Sequence, residues 1–166
     1  MERQEVGLFA HYATEVRDEW IDYNGHLHDA SYAILLSEAN EVLLEELGLS
    51  ESYRERTGCA MYTVESHIRY LAECRRGDWL EAASLLVSAD VKRMRVHTAL
   101  TKTGGKLVAT GEYMYLHVDD AAGRVTAMPA GRWAVVNAML AAHADLERPE
   151  YLGRGVGSGT RSGTGS

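Results

Sequence analysis

The chain has 166 residues, of which 46% are hydrophobic and 25% are charged, and its formal net charge is -7. This length and composition predict one globular domain with a sizeable core and argue against two domains. The negative charge argues against general binding to nucleic acid or to an anionic membrane, and no apolar run approaches the roughly 20 residues that span a bilayer.

The cysteines and the N-terminal residues bear on the cellular compartment. Cys59 and Cys74 lack the spacing of a Cys-x-x-Cys motif, and the sequence Met-Glu-Arg-Gln-Glu carries no apolar signal segment. We therefore expect a reduced, cytoplasmic protein, and these cysteines do not suggest a zinc site.

The first half of the chain predicts a strand followed by a long helix. Residues 8–17 are typical of a strand, and residues 30–47 carry apolar side chains at helical spacing. Gly48 then supplies a helix stop. A polar connector is expected at residues 51–58.

The second half predicts a sheet, a terminal helix and a tail. Thr103-Gly104-Gly105 is a hairpin signal, and a second apolar stripe at residues 130–146 predicts a helix. Residues 1–150 are expected to form the domain, and the Gly/Ser-rich residues 151–166 are expected to form a flexible extension. Four strands are predicted between the helices, at residues 60–71, 79–88, 93–102 and 106–118.

One long helix followed by a four-stranded meander favours an α+β fold in which an antiparallel sheet wraps around that helix. Such a sheet leaves free edges. A homodimer that pairs the sheets edge to edge would cover them, and would bring the turn after Asp22 close to the partner's strand at residues 60–70.

The segment between the first strand and the long helix concentrates reactive groups. Asp22, Gly25, His26 and Asp29 lie there, immediately before the helix. A helix start offers unpaired backbone N–H groups and the positive end of a dipole, which suits a developing oxyanion. The residues alone leave two readings of Asp22 open, a reactive carboxylate and a turn residue that caps Asn24-Gly25.

A metal site is the other chemistry that this segment suggests. His26-Leu27-His28-Asp29 has part of the His-x-His-x-Asp pattern of metallohydrolases, but the next residue is Ala30. Seven scattered histidines do not supply a convergent ligand set, so we expect no metal.

The run Val16-Arg17-x-x-x-x-Asp22-x-x-Gly25-His26, followed by the long helix, resembles hotdog-fold acyl-CoA thioesterases of the 4-hydroxybenzoyl-CoA thioesterase type. Leu107-Val108-Ala109-Thr110-Gly111 resembles a later strand of the same family. The resemblance implies a hotdog fold and a catalytic Asp22, acting as nucleophile or as general base. It places an oxyanion donor at a backbone N–H near Asp29. Gly25 would allow close approach, and His26 would orient the turn or the acyl group.

Four shorter segments, including Glu19 to His26 and Tyr62 to Arg69, resemble the betainyl-CoA thioesterases of carnitine breakdown. This resemblance implies that betainyl-CoA is hydrolysed to glycine betaine and CoA. Coenzyme A is then part of the substrate, and no cofactor is required. A trimethylammonium group is held by aromatic faces and negative charge. The candidate substrate-binding residues are Trp20, Tyr23, Tyr32, Glu65, His67 and Tyr70, with Glu65 as the counter-charge.

Lys92, Arg93 and Arg95 begin a predicted strand where the family holds CoA phosphates, so the resemblance implies a CoA-binding role for them. Two alternatives to a betainyl-CoA thioesterase remain. One is a general short-chain or aromatic acyl-CoA thioesterase, and the other is a non-catalytic hotdog module that binds acyl-CoA. The sequence does not distinguish a homodimer from a homotetramer.

Overall fold

The computed structural model describes residues 8–157, which form a curled antiparallel sheet with three α-helices. A short 3-10 helix at Asp18–Trp20 precedes the first α-helix. The strands and helices in chain order are β1 (Phe9–Glu15), α1 (Asp29–Glu46), α2 (Glu51–Thr57), β2 (Cys59–Tyr70), β3 (Trp79–Asp90), β4 (Arg93–Lys102), β5 (Lys106–Asp119), β6 (Arg124–Val125) and α3 (Ala130–Ala142).

The sheet has the strand order β1-β3-β4-β5-β2, and the short β6 pairs with β5. Its inner face packs against the apolar stripe of α1, which buries Tyr32, Leu36 and Leu43. This stripe follows the i, i+4, i+7 spacing seen in the sequence. The predicted α+β architecture of a sheet around one long helix is confirmed, and this arrangement is the hotdog fold.

Strand register assigns each side chain to the inner or the outer face, because residues directly opposite in a ladder share a face. Tyr70 lies opposite Ala109 and Tyr113 lies opposite Ser66, all on the inner face. The outer face is opposite to α1 and includes His67 and Glu112, which lie directly opposite each other.

The predicted connector at residues 51–58 is wrong, because the chain forms helix α2 there. Tyr53 explains the helix, since its side chain is buried in the core and its hydroxyl lies 3.0 Å from His117 Nε2. Gly58 ends the helix with φ = 69°, a left-handed conformation that favours glycine. The sequence did not predict this helix because a single buried residue in a polar segment does not produce an apolar stripe.

The predicted four-stranded meander is also wrong. β3, β4 and β5 form consecutive hairpins, but β2 pairs with β5 at the far edge of the sheet. The connection from β2 to β3 at residues 71–78 is longer than the two to five residues typical of a hairpin loop. It crosses beside the start of α1, where the Leu27 N–H donates to the Cys74 carbonyl at 2.8 Å.

The C-terminal part of the described chain lies against the outer face. Helix α3 ends at Ala142, earlier than predicted, and the following His143 is buried with Nδ1 accepting from the Leu86 N–H at 3.0 Å. The Arg69 guanidinium lies 4.8 Å from the Tyr151 ring centre, and the Gly153 N–H donates to Glu112 at 2.7 Å. The rest of the predicted tail, 158–166, lies outside the described residues, and the boundary at residue 150 stays a prediction.

Candidate active site

A tight turn presents Asp22 at the edge of the sheet. The Gly25 N–H donates to the Asp22 carbonyl at 3.0 Å, and the Asp22 N–H donates to the His26 carbonyl at 2.9 Å. Gly25 has φ = 79°, so a side chain there would strain the turn. The chain then returns beside its own start, because the His28 N–H donates to the Trp20 carbonyl at 2.9 Å.

The Asp22 carboxylate is held by backbone donors through one oxygen. Its Oδ1 accepts from the N–H groups of Asn24 at 2.8 Å and His26 at 3.3 Å. Desolvation raises the pKa of Asp22, but the hydrogen bonds from His26 and Asn24 outweigh it and bring that pKa below its ordinary value. Asp22 is therefore both a turn residue and an ionised carboxylate whose Oδ2 accepts no hydrogen bond from a backbone N–H of the described residues.

Helix α1 begins beside this carboxylate. His28 is the N-cap, and its Nδ1 accepts from the Ala30 N–H at 3.1 Å. The Asp29 N–H donates to none of the groups in the described chain. A free N–H at a helix start, in the same cleft as the Asp22 carboxylate, is suited to stabilise an oxyanion.

Asp22 opens into a cleft of about 450 Å³, which we call the Asp22 cleft. Three carboxylates line it, and within residues 8–157 no lysine or arginine does. Among the described residues, the one lining group that can carry positive charge is His26, so the cleft is electrostatically negative. The lining residues are Asp22, Asn24, His26, Leu27, Asp29, Tyr32, Tyr70, Leu71, Ala72 and Glu73.

Two tyrosines form an aromatic wall in the Asp22 cleft. The rings of Tyr32 and Tyr70 meet edge to face, with centres 5.5 Å apart and planes at 73°. Tyr32 is buried and its hydroxyl donates to the Ala72 carbonyl at 3.0 Å. Tyr70 is 51% exposed. Burial and the charge of Asp29 raise the pKa of Tyr70, so its ring remains neutral at physiological pH.

His26 faces the cleft and contacts an acidic residue on the crossing segment. Its Nε2 lies 3.1 Å from Glu73 Oε2. This contact orients the imidazole and ties the turn after Asp22 to residues 71–78. His26 thus has a positioning contact of the kind that its predicted role requires.

The other two predicted aromatic walls lie outside the Asp22 cleft. Tyr23 is 97% exposed at the tip of the turn. Trp20 packs against the core, and the Arg17 guanidinium lies 4.7 Å from its ring centre on the solvent side. Neither residue lines the cleft within the described chain.

Glu65, His67 and Arg95 meet at a different place, a cavity of about 340 Å³ on the outer face, which we call the outer cavity. Glu65 and His67 share a face, as the strand period predicts, but this face is opposite to Tyr70. Arg95 is paired there with Glu112, whose other oxygen accepts from the Gly153 N–H. The structure therefore does not bring these three predicted residues to Asp22 within one chain.

Lys92 and Arg93 lie at the far end of the sheet from the Asp22 cleft. Arg93 begins β4 and pairs with Asp90 at 2.6 Å, and Lys92 is exposed in the preceding turn. Leu100 is the β4 residue level with Ala109 and Tyr70. Seven residues separate it from Arg93, which corresponds to about 23 Å along the strand.

Within residues 8–157 no group of three or more His, Cys, Asp or Glu side chains has the geometry to hold a metal ion. The helices of the described chain are also too short or too polar to cross a membrane. The cytoplasmic location stays a prediction.

Comparison with known proteins decides the family. The model of the Thioesterase-like superfamily matches residues 16–142, which include Asp22, helix α1 and the whole sheet except β1. The chain belongs to this superfamily.

Three relatives place the chain within the thioesterase superfamily. It is 37% identical over 147 residues to a betainyl-CoA thioesterase of Pseudomonas aeruginosa, covering 88% of this chain and 92% of that protein. It is 41% identical to an L-carnitine dehydrogenase/betainyl-CoA thioesterase of Agrobacterium fabrum, covering 85% of this chain but 29% of that longer protein. A Staphylococcus aureus protein solved in complex with CoA has a TM-score of 0.85 and 31% identity, covering 90% of this chain and 94% of that one.

Sequence reasoning missed Glu73, Leu71 and Ala72, which complete the Asp22 cleft of this thioesterase-family chain. All three lie in the segment that crosses from β2 to β3. The available signal was its length, since an eight-residue link between strands is unusual for a hairpin and indicates a crossing.

Proposed function

We propose that the chain is an acyl-CoA thioesterase that hydrolyses betainyl-CoA to glycine betaine and CoA. The observation that carries the proposal is the composition of the Asp22 cleft, with three carboxylates, two tyrosines and, among the described residues, no lysine or arginine. A quaternary ammonium group has no hydrogen-bond donor, so aromatic faces and negative charge are what recognise it. The names of the relatives from Pseudomonas and Agrobacterium support the same substrate.

The counter-charge in this proposal differs from the one that the sequence predicted. Glu65 lines the outer cavity, whereas Asp29 and Glu73 line the Asp22 cleft beside Tyr32 and Tyr70. We therefore assign the field that attracts the trimethylammonium group to Asp29 and Glu73. Tyr32 and Tyr70 form the wall against which it packs.

Asp22 carries the reaction in this proposal. The free Oδ2 attacks the thioester carbonyl carbon, the C–S bond breaks, and the CoA thiolate leaves with its electron pair. Water then hydrolyses the mixed anhydride, releasing glycine betaine and restoring the carboxylate. The hydrogen bonds on Oδ1 lower the pKa of Asp22 and so keep this carboxylate in the ionised form that attacks.

The oxyanion of this step needs donors, and we assign one to the backbone N–H of Asp29 at the start of α1. The positive end of the helix dipole adds to the effect. Removal of a single oxyanion donor in other enzymes costs about 3–4 kcal/mol of transition-state stabilisation. His26, held by Glu73, positions the turn that carries Asp22.

We further propose that two chains associate through the free edge of β2. This strand is 12 residues long, and Tyr62 and Val64 are exposed along it. A long free edge with apolar residues is a pairing surface. Two-fold antiparallel pairing places the Cys59 end of one β2 beside the Tyr70 end of the other.

This dimer would also bring basic residues to the substrate. Arg93 is level with Leu116 and Tyr62, near the start of β2 in the sheet. In the paired arrangement that end of the second copy lies alongside the Asp22 cleft of the first. Lys92 and Arg93 therefore remain our candidates for the CoA phosphates, supplied across the interface, whereas Arg95 is held by Glu112 in the outer cavity.

The test is release of free thiol from betainyl-, acetyl-, butyryl- and benzoyl-CoA by the native protein and by Asp22→Asn. We expect preferred turnover of betainyl-CoA and a loss of about 10²- to 10⁴-fold in kcat in the variant. Asp119→Asn is the matched control, because this carboxylate also caps a turn, accepting from the Ala122 N–H at 3.0 Å, but lies outside the cleft.

Other results of the thiol-release assay would indicate a different function. Equal or faster turnover of the neutral esters would identify a general acyl-CoA thioesterase. Binding of CoA esters without turnover, unchanged in Asp22→Asn, would identify a non-catalytic module. Single turnover in 18O-labelled water tests the step, because 18O in the Asp22 carboxylate identifies a mixed anhydride that water opens at the Asp22 carbonyl carbon.

A further inference from the structure

Tyr113 on β5 is a buried tyrosine without a hydrogen-bond partner for its hydroxyl. Its side chain is 6% exposed, and its hydroxyl oxygen is among the few buried polar atoms of the described chain that lack a partner. A buried hydroxyl without a partner is unfavourable by roughly 1–3 kcal/mol. Phenylalanine would pack equally well at this inward position. The tyrosine hydroxyl therefore indicates a contact partner that the folded chain alone does not supply.

Tyr113 lines the outer cavity and not the Asp22 cleft, but its ring extends along β5 over Gly111, in the direction of that cleft. A Cβ built on Gly111 would lie 2.5 Å from Tyr113 Cε2 and 2.9 Å from its hydroxyl oxygen. The Tyr113 hydroxyl therefore lies over Gly111. Any side chain at position 111 would occupy the space that this hydroxyl fills. Two residues further, about 7 Å along the strand, is Ala109, directly opposite Tyr70.

Tyr70 stands between this hydroxyl and the Asp22 cleft. Its ring is 51% exposed, and its hydroxyl makes no hydrogen bond to a described residue, so it can change rotamer rapidly. Burial raises the pKa of Tyr113, with smaller contributions from Tyr115 and Tyr70, which agrees with Tyr70 as a neighbour. Tyr115 stacks behind Tyr113, with ring centres 6.2 Å apart.

We propose that Tyr113 is the inner wall of the acyl pocket, behind Tyr70, and that its hydroxyl oxygen contacts the polarised N-methyl groups of a quaternary ammonium acyl chain. This inference rests on the proposed function and adds to it a residue that determines specificity. Tyr32, Tyr70 and Tyr113 then form three sides of an aromatic box, the arrangement that suits a trimethylammonium group. The Tyr113 hydroxyl oxygen accepts C–H···O contacts from the N-methyl groups. The methyl groups of a neutral acyl chain are less polarised and form weaker contacts of this kind.

The test compares betainyl-CoA with 3,3-dimethylbutyryl-CoA, its neutral isostere, in the native protein, Tyr113→Phe and Tyr115→Phe. We expect Tyr113→Phe to lower the ratio of kcat/KM for betainyl-CoA over the isostere by about two- to fivefold, through KM. Its Tm should equal or exceed that of the native protein, since the lost hydroxyl has no partner. Tyr115→Phe, a buried tyrosine on the same face, should leave the ratio unchanged.

An unchanged ratio in Tyr113→Phe, or an equal fall for both substrates, would overturn the inference while leaving the proposed function intact. If the native protein hydrolyses neither ester, the proposed function fails. A binding measurement then still tests whether Tyr113 contacts a quaternary ammonium group. For that purpose tetramethylammonium is titrated into protein with 13C-labelled tyrosine, and the Tyr113 ring signals are expected to shift. Absence of a shift at concentrations that move the Tyr32 and Tyr70 signals would contradict the inference.

Discussion

The Asp22 cleft and the outer cavity use opposite faces of β2 and differ in how their charges are used. In the Asp22 cleft, the carboxylates of Asp22, Asp29 and Glu73 have no lysine or arginine partner among the described residues; Glu73 contacts His26 and Asp29 contacts His28. In the outer cavity, Glu112 is paired with Arg95 and with the Gly153 N–H. Carboxylates without a lysine or arginine partner are available to a cationic ligand, whereas the carboxylate paired with Arg95 holds the chain together.

Strand alternation explains this division. Tyr70 and His67 are three residues apart on β2, so they point to opposite faces. The Asp22 cleft uses the inner face and the outer cavity uses the other one. A residue's type alone, glutamate or arginine, therefore does not indicate which of the two regions it serves.

The largest effect that we expect is a loss of stability when a charge in the outer cavity is removed. Glu112→Gln removes the charge that accepts from Arg95 and Gly153, and a hydrogen bond to a charged group contributes about 1.5–3 kcal/mol. The free energy of unfolding in urea should fall by about that amount, with kcat for betainyl-CoA unchanged. Glu81→Gln, an exposed glutamate on β3, is the control for losing a negative charge. A fall in kcat like that of Asp22→Asn would make the outer cavity part of the active site.

The next effect concerns substrate choice in the Asp22 cleft. A double variant, Asp29→Asn with Glu73→Gln, removes two charges, each contributing about 0.7 kcal/mol to a cation 6 Å away in water. We expect the preference for betainyl-CoA over its neutral isostere to fall by about tenfold, as measured by the ratio of kcat/KM. The isostere reports any loss of folding or of general activity. A preference that survives both changes would show that the field of these two carboxylates does not select the substrate.

Local patterns were sufficient to predict the long helix, the strands and the position of Asp22. Apolar spacing in α1 and the Gly25 turn are properties of neighbouring residues, so a single sequence contains them. The family resemblance then indicated the hotdog fold, which the superfamily match confirms.

Long-range placement was harder to predict. The position of β2 beside β5 depends on the crossing segment at residues 71–78, which also brings Glu73 to His26. The predicted aromatic walls Trp20 and Tyr23 are next to Asp22 in sequence, but Trp20 packs on the core and Tyr23 points to solvent. Tyr113 is 91 positions away from Asp22 in the sequence, and only the pairing of β5 with β2 places it on the same face as Tyr70.

The smallest effect is a pH dependence that separates stability from activity. Burial lowers the pKa of His97, a residue on the outer face that is 4% exposed. Unfolding therefore takes up a proton once the pH falls below about 6.5, the ordinary value for histidine. Stability from a neutral buried His97 is present above that pH and is lost as the pH falls, by at most about 1.4 kcal/mol per unit.

We expect the free energy of unfolding to decrease between pH 7 and pH 5, and His97→Leu to reduce this slope. His143, whose pKa burial also lowers, contributes to the slope that remains. Over the same interval Asp22 stays ionised, since its pKa lies below its ordinary value of 3.8. The acid limb of kcat/KM that Asp22 governs therefore lies below pH 3.8. A limb between pH 5 and pH 7 that disappears in His97→Leu would couple the outer face to the chemistry and remove the distinction between the two regions.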